Sequence, residues 1–270
     1  MDKDIDSMLI EPRHLAAHIG DRDILIVAVC MKKDFNDGHI PGAILIEPSE
    51  LIKGESPAVG KLPDFQKLEK LFSSIGLRKN LRIIAYDDEG GGWAGRLIWT
   101  LDVLGHSKNT LLNGGIIAWR NEGFPISVES ASTLITEFTA TINREFIADI
   151  NDVLNSINDA NTIIWDARAP EEYNGTKITA LKNGHIPGAL SLDWVHMKDL
   201  NNNSKLRNLD EIRTMLAALG ITNQVKVITH CQTHHRSGLT YFVGKLIGLD
   251  ISAYDGSWAE WGNHPETPVE

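Results

Sequence analysis

Two cysteines in 270 residues are too few for a disulfide framework. The fold must therefore be held by its core, and a reducing compartment, the cytosol, is expected. Long apolar runs are also missing. Stretches such as Ile24 to Met31 fall far short of the ~20 residues a helix needs to cross a bilayer. Basic residues are in deficit, with 26 Lys and Arg against 36 Asp and Glu and a net charge of -10. That balance excludes nucleic acid and anionic membrane as bulk partners, so an anionic ligand has to be drawn by a local positive site. The opening Met1-Asp2-Lys3-Asp4-Ile5-Asp6 is acidic and has no apolar h-region, so it is not expected to act as a secretory signal. What is present, 42% hydrophobic and 23% charged residues, suits one large globular domain or two of moderate size.

The chain repeats itself. Gly38-His39-Ile40-Pro41-Gly42-Ala43 recurs as Gly184-His185-Ile186-Pro187-Gly188-Ala189, a shift of 184 − 38 = 146 residues. A strand-like run precedes each copy, Ile24 to Val29 and Thr162 to Trp165. An amphipathic segment ending in glycine follows each, Phe65 to Gly76 and Leu209 to Gly220. Apolar residues three and four apart with a terminal glycine predict helices there. Next come the strands Leu81 to Tyr86 and Val225 to His230, then a loop and a helix. Each half closes on a turn and a Trp-bearing helix, Asn113-Gly114-Gly115 to Trp119 and Asp255-Gly256-Ser257 to Trp261. Alternating strands and helices predict an α/β fold with a parallel sheet in each half. The Ser/Thr-rich stretch Ile126 to Arg144 makes the connection, which places the domains at 1–140 and 141–270.

Cys231 carries the most chemistry. It ends the β-branched run Val225 to His230 and opens the polar loop Gln232-Thr233-His234-His235-Arg236-Ser237, with a helix expected from about Ser237. A thiol at the carboxyl end of a buried strand, facing a helix N-terminus, meets converging backbone N–H groups and the positive end of the helix dipole. Both favour the thiolate, which is the nucleophile. Arg236 brings a permanent charge and a forked pair of donors suited to an oxyanion. Cys30, within an apolar strand run, reads as core. His230, Cys231, His234 and His235 do not read as a metal site, because adjacent residues rarely face one tetrahedral ion and no second Cys/His cluster completes the set. Gly90-Gly91-Gly92 is not a phosphate loop, lacking a following Lys-Ser/Thr and flanked by Asp87, Asp88 and Glu89. The two Gly-His-Ile-Pro-Gly-Ala copies read as turns feeding strands, and Trp258 and Trp261 mainly as core.

The elements Asp166-x-Arg168, Glu172-Tyr173, Gly-His-Ile-Pro-Gly-Ala, strand-Cys-loop-Arg-Ser and Asp-Gly-Ser-Trp occur in this order from about residue 10 to the end. In that set the chain resembles the tandem-domain rhodanese sulfurtransferases. The resemblance implies two tandem rhodanese-like α/β domains, each a parallel sheet flanked by helices, with the active site between them and the nucleophile in the second. It implies no cofactor or metal, and transfer of sulfane sulfur through a persulfide on Cys231. The donor is a small anion, thiosulfate by preference, and the acceptor is cyanide, a small thiol or a protein thiol. The alternatives are 3-mercaptopyruvate as donor, or a sulfur-relay module fed by a partner protein.

In this frame the amides of Gln232, Thr233, His234, His235 and Ser237 line the anionic sulfur, and Arg236 binds the sulfonate or carboxylate of the donor. Arg168 reaches the donor by the same resemblance, and Asp166 anchors its turn. The four residues between Cys231 and Arg236 favour sulfur over phosphate, since rhodanese-like phosphatases carry five. His234 stands where many members have glycine, so a positive φ there would put strain on it. The loop matches neither Cys-Arg-Lys-Gly-Val-Thr of thiosulfate enzymes nor Cys-Gly-Ser-Gly-Val-Thr of mercaptopyruvate enzymes. Aligning the second strands puts Asp87 where Cys231 stands, 231 − 87 = 144, so the first domain is expected to be catalytically degenerate and to wall the cleft.

Overall fold

The protein is seen in a computed structural model that describes residues 7–132 and 134–270. The acidic start, Met1 to Asp6, lies outside the described residues. The first half runs β1 (Leu9–Ile10), α1 (Pro12–Ala16), β2 (Ile24–Val29), α2 (Lys32–Asn36), β3 (Ile44–Ile46), α3 (Phe65–Ser74), β4 (Arg82–Tyr86), α4 (Gly92–Val103), β5 (Asn109–Leu112) and α5 (Gly115–Asn121). The second runs β6 (Ile147–Ala148), α6 (Ile150–Ser156), β7 (Thr162–Asp166), α7 (Pro170–Tyr173), β8 (Leu190–Ser191), β9 (Lys198–Asp199), β10 (Lys205–Leu206), α8 (Leu209–Ala218), β11 (Lys226–His230), α9 (Arg236–Leu246), β12 (Asp250–Tyr254) and α10 (Ser257–Trp261).

Each half builds a five-stranded sheet, in the orders β1-β5-β4-β2-β3 and β6-β12-β11-β7-β8. All pairings in both are parallel. The two orders are the same order written twice, as the repeat predicts. The predicted strands and helices stand within a residue or two of their observed ends. β1, β5, β6, β9, β10, β12 and the short helices α1, α2, α6 and α7 went unforeseen; all but α6 span five residues or fewer, too short for a periodic signal.

Both second strands lie at the centre of their sheets, where helices cover both faces and the residues are buried throughout. Ile83 to Tyr86 and Val227 to His230 are all buried, consistent with the continuous apolar runs of parallel strands. Helix ends follow the local chemistry. Asn208 caps α8 by accepting from the Asp210 amide, and Asp149 forms a reciprocal capping box with Asp152 on α6.

The chain divides into two compact units. One holds the chain up to Leu51, Pro63–Asn143 and Asp199–Leu206, and the other holds Ile52–Leu62, Arg144–Lys198 and Arg207–Glu270. A single cut near residue 140 thus leaves two short segments, 52–62 and 199–206, on the wrong side. Nothing in their composition marks that exchange. The Ser/Thr-rich connection contains neither helix nor strand over its described residues from 128 to 143. It follows the helices of the first unit, with the Thr136 amide on the Ser73 carbonyl and the Thr141 amide on that of Leu104.

Candidate active site

β11 is the central strand of the second sheet, and its register sets His230 beside Asp166 at the end of β7. Cys231 and Arg168 therefore leave the sheet from neighbouring strands at one edge. The chain needs six residues from Cys231 to the first turn of α9, which begins at Arg236 rather than Ser237. Within them His234 takes φ +53°, the left-handed conformation glycine adopts freely. An ordinary residue there costs roughly 1–2 kcal/mol. A side-chain bond offsets part of this, because His234 Nδ1 lies 2.7 Å from the Ser237 hydroxyl.

The loop is held from outside by its carbonyls. The Trp258 amide donates to the Cys231 carbonyl at 3.0 Å, and the Ala259 amide to that of Gln232 at 2.9 Å. These donors are the first turn of α10, presented by the Asp255-Gly256-Ser257 turn. The Ser257 hydroxyl accepts from the Cys231 amide at 3.4 Å and donates to the Tyr254 carbonyl at 2.8 Å. A trans peptide carries its N–H opposite its C=O. Fixing the Cys231 and Gln232 carbonyls outward turns the Gln232 and Thr233 amides to the other side, which is the geometry of an anion nest.

Cys231 is only 1% exposed. Burial opposes its ionisation, but the Arg236 charge, the Ser237 hydroxyl and amide, and His235 outweigh it and hold the thiol below its usual range. Ser237 has a single hydroxyl proton. When that proton goes to the thiolate, the 2.7 Å contact with His234 requires Nδ1–H to be the donor, so His234, Ser237 and Cys231 form one directed chain. Arg236 is gripped by Glu172 through two bonds, Nη1 to Oε2 at 2.6 Å and Nη2 to Oε1 at 2.9 Å. Burial disfavours the Glu172 carboxylate, yet the Arg236 bonds and charge keep it below the usual glutamate range.

Of the remaining sequence-expected residues, Gln232 turns its amide group to Thr179, accepting from Oγ1 at 2.9 Å and donating to the carbonyl at 3.0 Å. His235 is half-buried beside the Trp194 ring, 5.9 Å away, and Lys198 Nζ lies over that ring at 3.6 Å from its centre. Thr233 places its backbone against Gly60. Arg168 is fully buried. Its Nε and Nη2 bind both oxygens of Asp166 at 2.6–3.0 Å, Nη2 also reaches the Gly184 carbonyl at 2.9 Å, and its guanidinium lies over Trp258 at 4.2 Å. The structure thus gives Arg168 a bracing geometry, tying β7 to the Gly184 turn and to α10.

The equivalent loop of the first unit is complete without a ligand. Asp87 Oδ1 accepts from the amides of Glu89, Gly90 and Gly91 at 3.2, 3.0 and 2.8 Å, and Oδ2 from Ala94 at 3.0 Å. The loop's own carboxylate fills its ring of amides. Burial and the nearby Glu89 raise Asp87 to about 6 despite those bonds. Beside it a cavity of about 120 Å³ is lined by Cys30, Asp34, His39, Asp88 and Arg120 among others. Burial pushes the Cys30 thiol up to about 12, the reverse of Cys231.

Sequence reasoning gave no role to Glu172, Ser257, Trp194 or Gly60. Glu172 stood in a quoted motif, but nothing local connects it to an arginine 64 residues away. Ser257 has one usable signal, its place in the Asp-Gly-Ser-Trp turn. Gly60 has none.

Comparison with known proteins identifies the family. The rhodanese-like domain family matches the chain twice, over residues 11–122 and 149–264. A thiosulfate sulfurtransferase of Azotobacter vinelandii is 42% identical over 264 residues, covering 97% of each chain. One of Pseudomonas aeruginosa is also 42% identical, with the same coverage. Among solved structures, the anaerobic ergothioneine biosynthesis enzyme of Chlorobium limicola, in complex with trimethyl histidine, superposes with a TM-score of 0.87 at 25% identity, over 97% of this chain and 70% of that one. With both halves matched and the relatives covered almost end to end, the chain belongs to the rhodanese-like family as a two-domain member.

Proposed function

We propose that Cys231 is the sulfur carrier of a ping-pong thiosulfate sulfurtransferase. The observation that carries this reading is a buried thiol whose ionisation is favoured by Arg236 and Ser237, inside a loop whose carbonyls are tied outward. The Cys231 thiolate attacks the outer sulfur of thiosulfate. The S–S bond of the donor breaks, and its electron pair leaves on sulfite. Cyanide or a thiolate then attacks the terminal sulfur of the persulfide, and the electron pair of that bond returns to Cys231. No net oxidation occurs, which suits a site with no cofactor in its chemistry.

The amides of Gln232, Thr233, His234, His235 and Ser237 stabilise the anionic sulfur in both resting forms, at roughly 1.5–3 kcal/mol per charge-assisted bond. Arg236 has five N–H donors, two of them used by Glu172. The rest, with its charge, bind the sulfonate. His235 adds positive potential for the departing sulfite. Arg168 serves the donor indirectly, by bracing Asp166 and the turn beside Cys231. The first half is catalytically degenerate, because a carboxylate cannot take up sulfane sulfur. No described helix is long and apolar enough to cross a membrane. Two free cysteines fit a reducing compartment, so the reaction belongs in the cytosol, with a thiol or protein thiol as acceptor.

The test is thiocyanate formation from cyanide, with thiosulfate and 3-mercaptopyruvate compared on wild type and Cys231→Ser. Turnover by wild type alone, faster with thiosulfate, is the expected result. Faster turnover with 3-mercaptopyruvate reassigns the donor. No turnover with either overturns the enzyme reading in favour of a carrier loaded by another protein.

A further inference from the structure

The segment 52–62 comes from the first half of the sequence, yet it belongs to the compact unit that holds Cys231. It is closed on itself, with the Lys53 amide on the Lys61 carbonyl at 2.7 Å and the Gly54 amide on that of Val59 at 3.0 Å. Two bonds fasten its end. Lys61 Nζ pairs with Glu260 Oε1 on α10 at 3.0 Å, and the Leu62 amide donates to Asp255 Oδ2 at 2.9 Å. These anchors place Gly60, which is buried, against the backbone of Thr233. A Cβ on Gly60 would sit 2.2 Å from the Thr233 carbonyl oxygen, 2.6 Å from its carbon and 2.8 Å from its Cα. All three are backbone atoms, so no side-chain rotation could relieve the clash.

The other half of the repeat supplies a comparison. Lys61-Leu62 corresponds to Lys205-Leu206, a shift of 205 − 61 = 144, and 199–206 is likewise assigned to the opposite unit. The anchors match. Lys205 pairs with Glu11 and Glu122, and the Leu206 amide donates to Asn113 Oδ1 at 2.8 Å, Asn113 heading the turn equivalent to Asp255. The residue before the lysine does not match. It is Gly60 on the Cys231 side and Ser204 on the other. The docking is common to both halves, and the missing side chain occurs only where the segment meets the thiol loop.

We propose that the 52–62 segment is the third clamp of the sulfur-carrying loop, and that Gly60 is a positioning residue for Cys231. Trp258 and Ala259 fix the carbonyls of Cys231 and Gln232, and Gly60 fixes the outward face of the next peptide, Thr233–His234. The His234 amide on the opposite edge of that plane is thereby turned toward the anionic sulfur. Glycine is required because any side chain would push the peptide inward and turn the amide away. The inference rests on the persulfide reading of the site.

The experiment follows iodoacetamide alkylation of Cys231 against pH, after cyanide has stripped any bound sulfur. Cys30, buried and pushed up to about 12, does not compete near neutrality. In Gly60→Ala the pH midpoint is expected to rise, and kcat/KM for thiosulfate to fall about tenfold, the effect of losing one charge-assisted bond. Lys61→Met is expected to shift the midpoint the same way by less. Lys205→Met, which cuts the matching anchor in the other unit, is expected to lower the melting temperature and leave the midpoint in place. A wild-type midpoint in a folded Gly60→Ala protein overturns the proposal, as does an equal shift from Lys205→Met and Lys61→Met. Should Gly60→Ala not fold, the two lysine variants decide it. Alkylation needs no sulfur donor, so absence of thiocyanate turnover in wild type would sink the function and leave this result standing.

Discussion

The loops after β4 and β11 share a sheet position and differ in what lies at their centre. In the first, Asp87 reaches back and takes four amide bonds from its own loop. In the second, Cys231 has a shorter, softer side chain, and its thiolate form is favoured by Ser237 and by an arginine braced on Glu172. An anion nest filled by a tethered carboxylate is finished as a structure. One built around a thiolate is finished only as chemistry, since a sulfur atom can be added and removed without changing the charge. The pKa directions follow the same division, with Asp87 pushed up by burial and Cys231 held down by its neighbours.

The comparison can be broken most severely at Cys231. Replacement by serine should cost at least about a thousandfold in thiocyanate formation, since the hydroxyl is neither ionised at neutral pH nor able to form a persulfide. Arg236→Lys keeps the charge and loses the double bond to Glu172, and a roughly tenfold rise in KM for thiosulfate in steady-state kinetics is expected. Asp87→Ala empties the other nest. It should leave transfer within about twofold of wild type, while denaturant titration shows a loss of about 2 kcal/mol from the stranded amides. A large loss of transfer in that variant would mean the first unit takes part in the chemistry.

The smallest effect is in the pH dependence of stability. Asp87 is raised from an ordinary 3.8 to about 6, so between those values the folded chain holds more protons than the unfolded one. Its contribution is therefore greatest below about pH 4 and is lost as the pH rises through about 6. Glu172 and Asp166 are depressed and act in the opposite sense. Their contribution is present above the ordinary carboxylate range and is lost as the pH falls below that range through their depressed values. Asp87→Asn should abolish the gain between pH 6 and 4 while leaving the acid loss, as read from melting temperatures at a series of pH values.

Much of this was legible in the chain. The duplicated Gly-His-Ile-Pro-Gly-Ala and the matched strand and helix order gave both sheets, and the two central strands announced themselves as continuous apolar runs. The places of Cys231 and Asp87 at the ends of their strands, of Arg236 at the start of its helix, and the positive φ of His234 were readable because each depends on neighbours within a few residues. Arg168 shows the limit. Its motif placed it beside the site, but the burial of its guanidinium between Asp166, the Gly184 carbonyl and Trp258 depends on three segments brought together only by folding.

The sequence by itself determined the architecture and singled out Cys231, in the second half, as the candidate nucleophile, because periodicity, turn chemistry and the identity of one atom are local properties. Tertiary structure alone decided the partners. Glu172 on Arg236, the α10 amides on the loop carbonyls and Gly60 against Thr233 join residues 27 to 173 positions apart in a single shell. A backbone approach of that kind leaves no mark on composition or spacing. Only the closed fold brings the segment near enough for a single Cβ to matter.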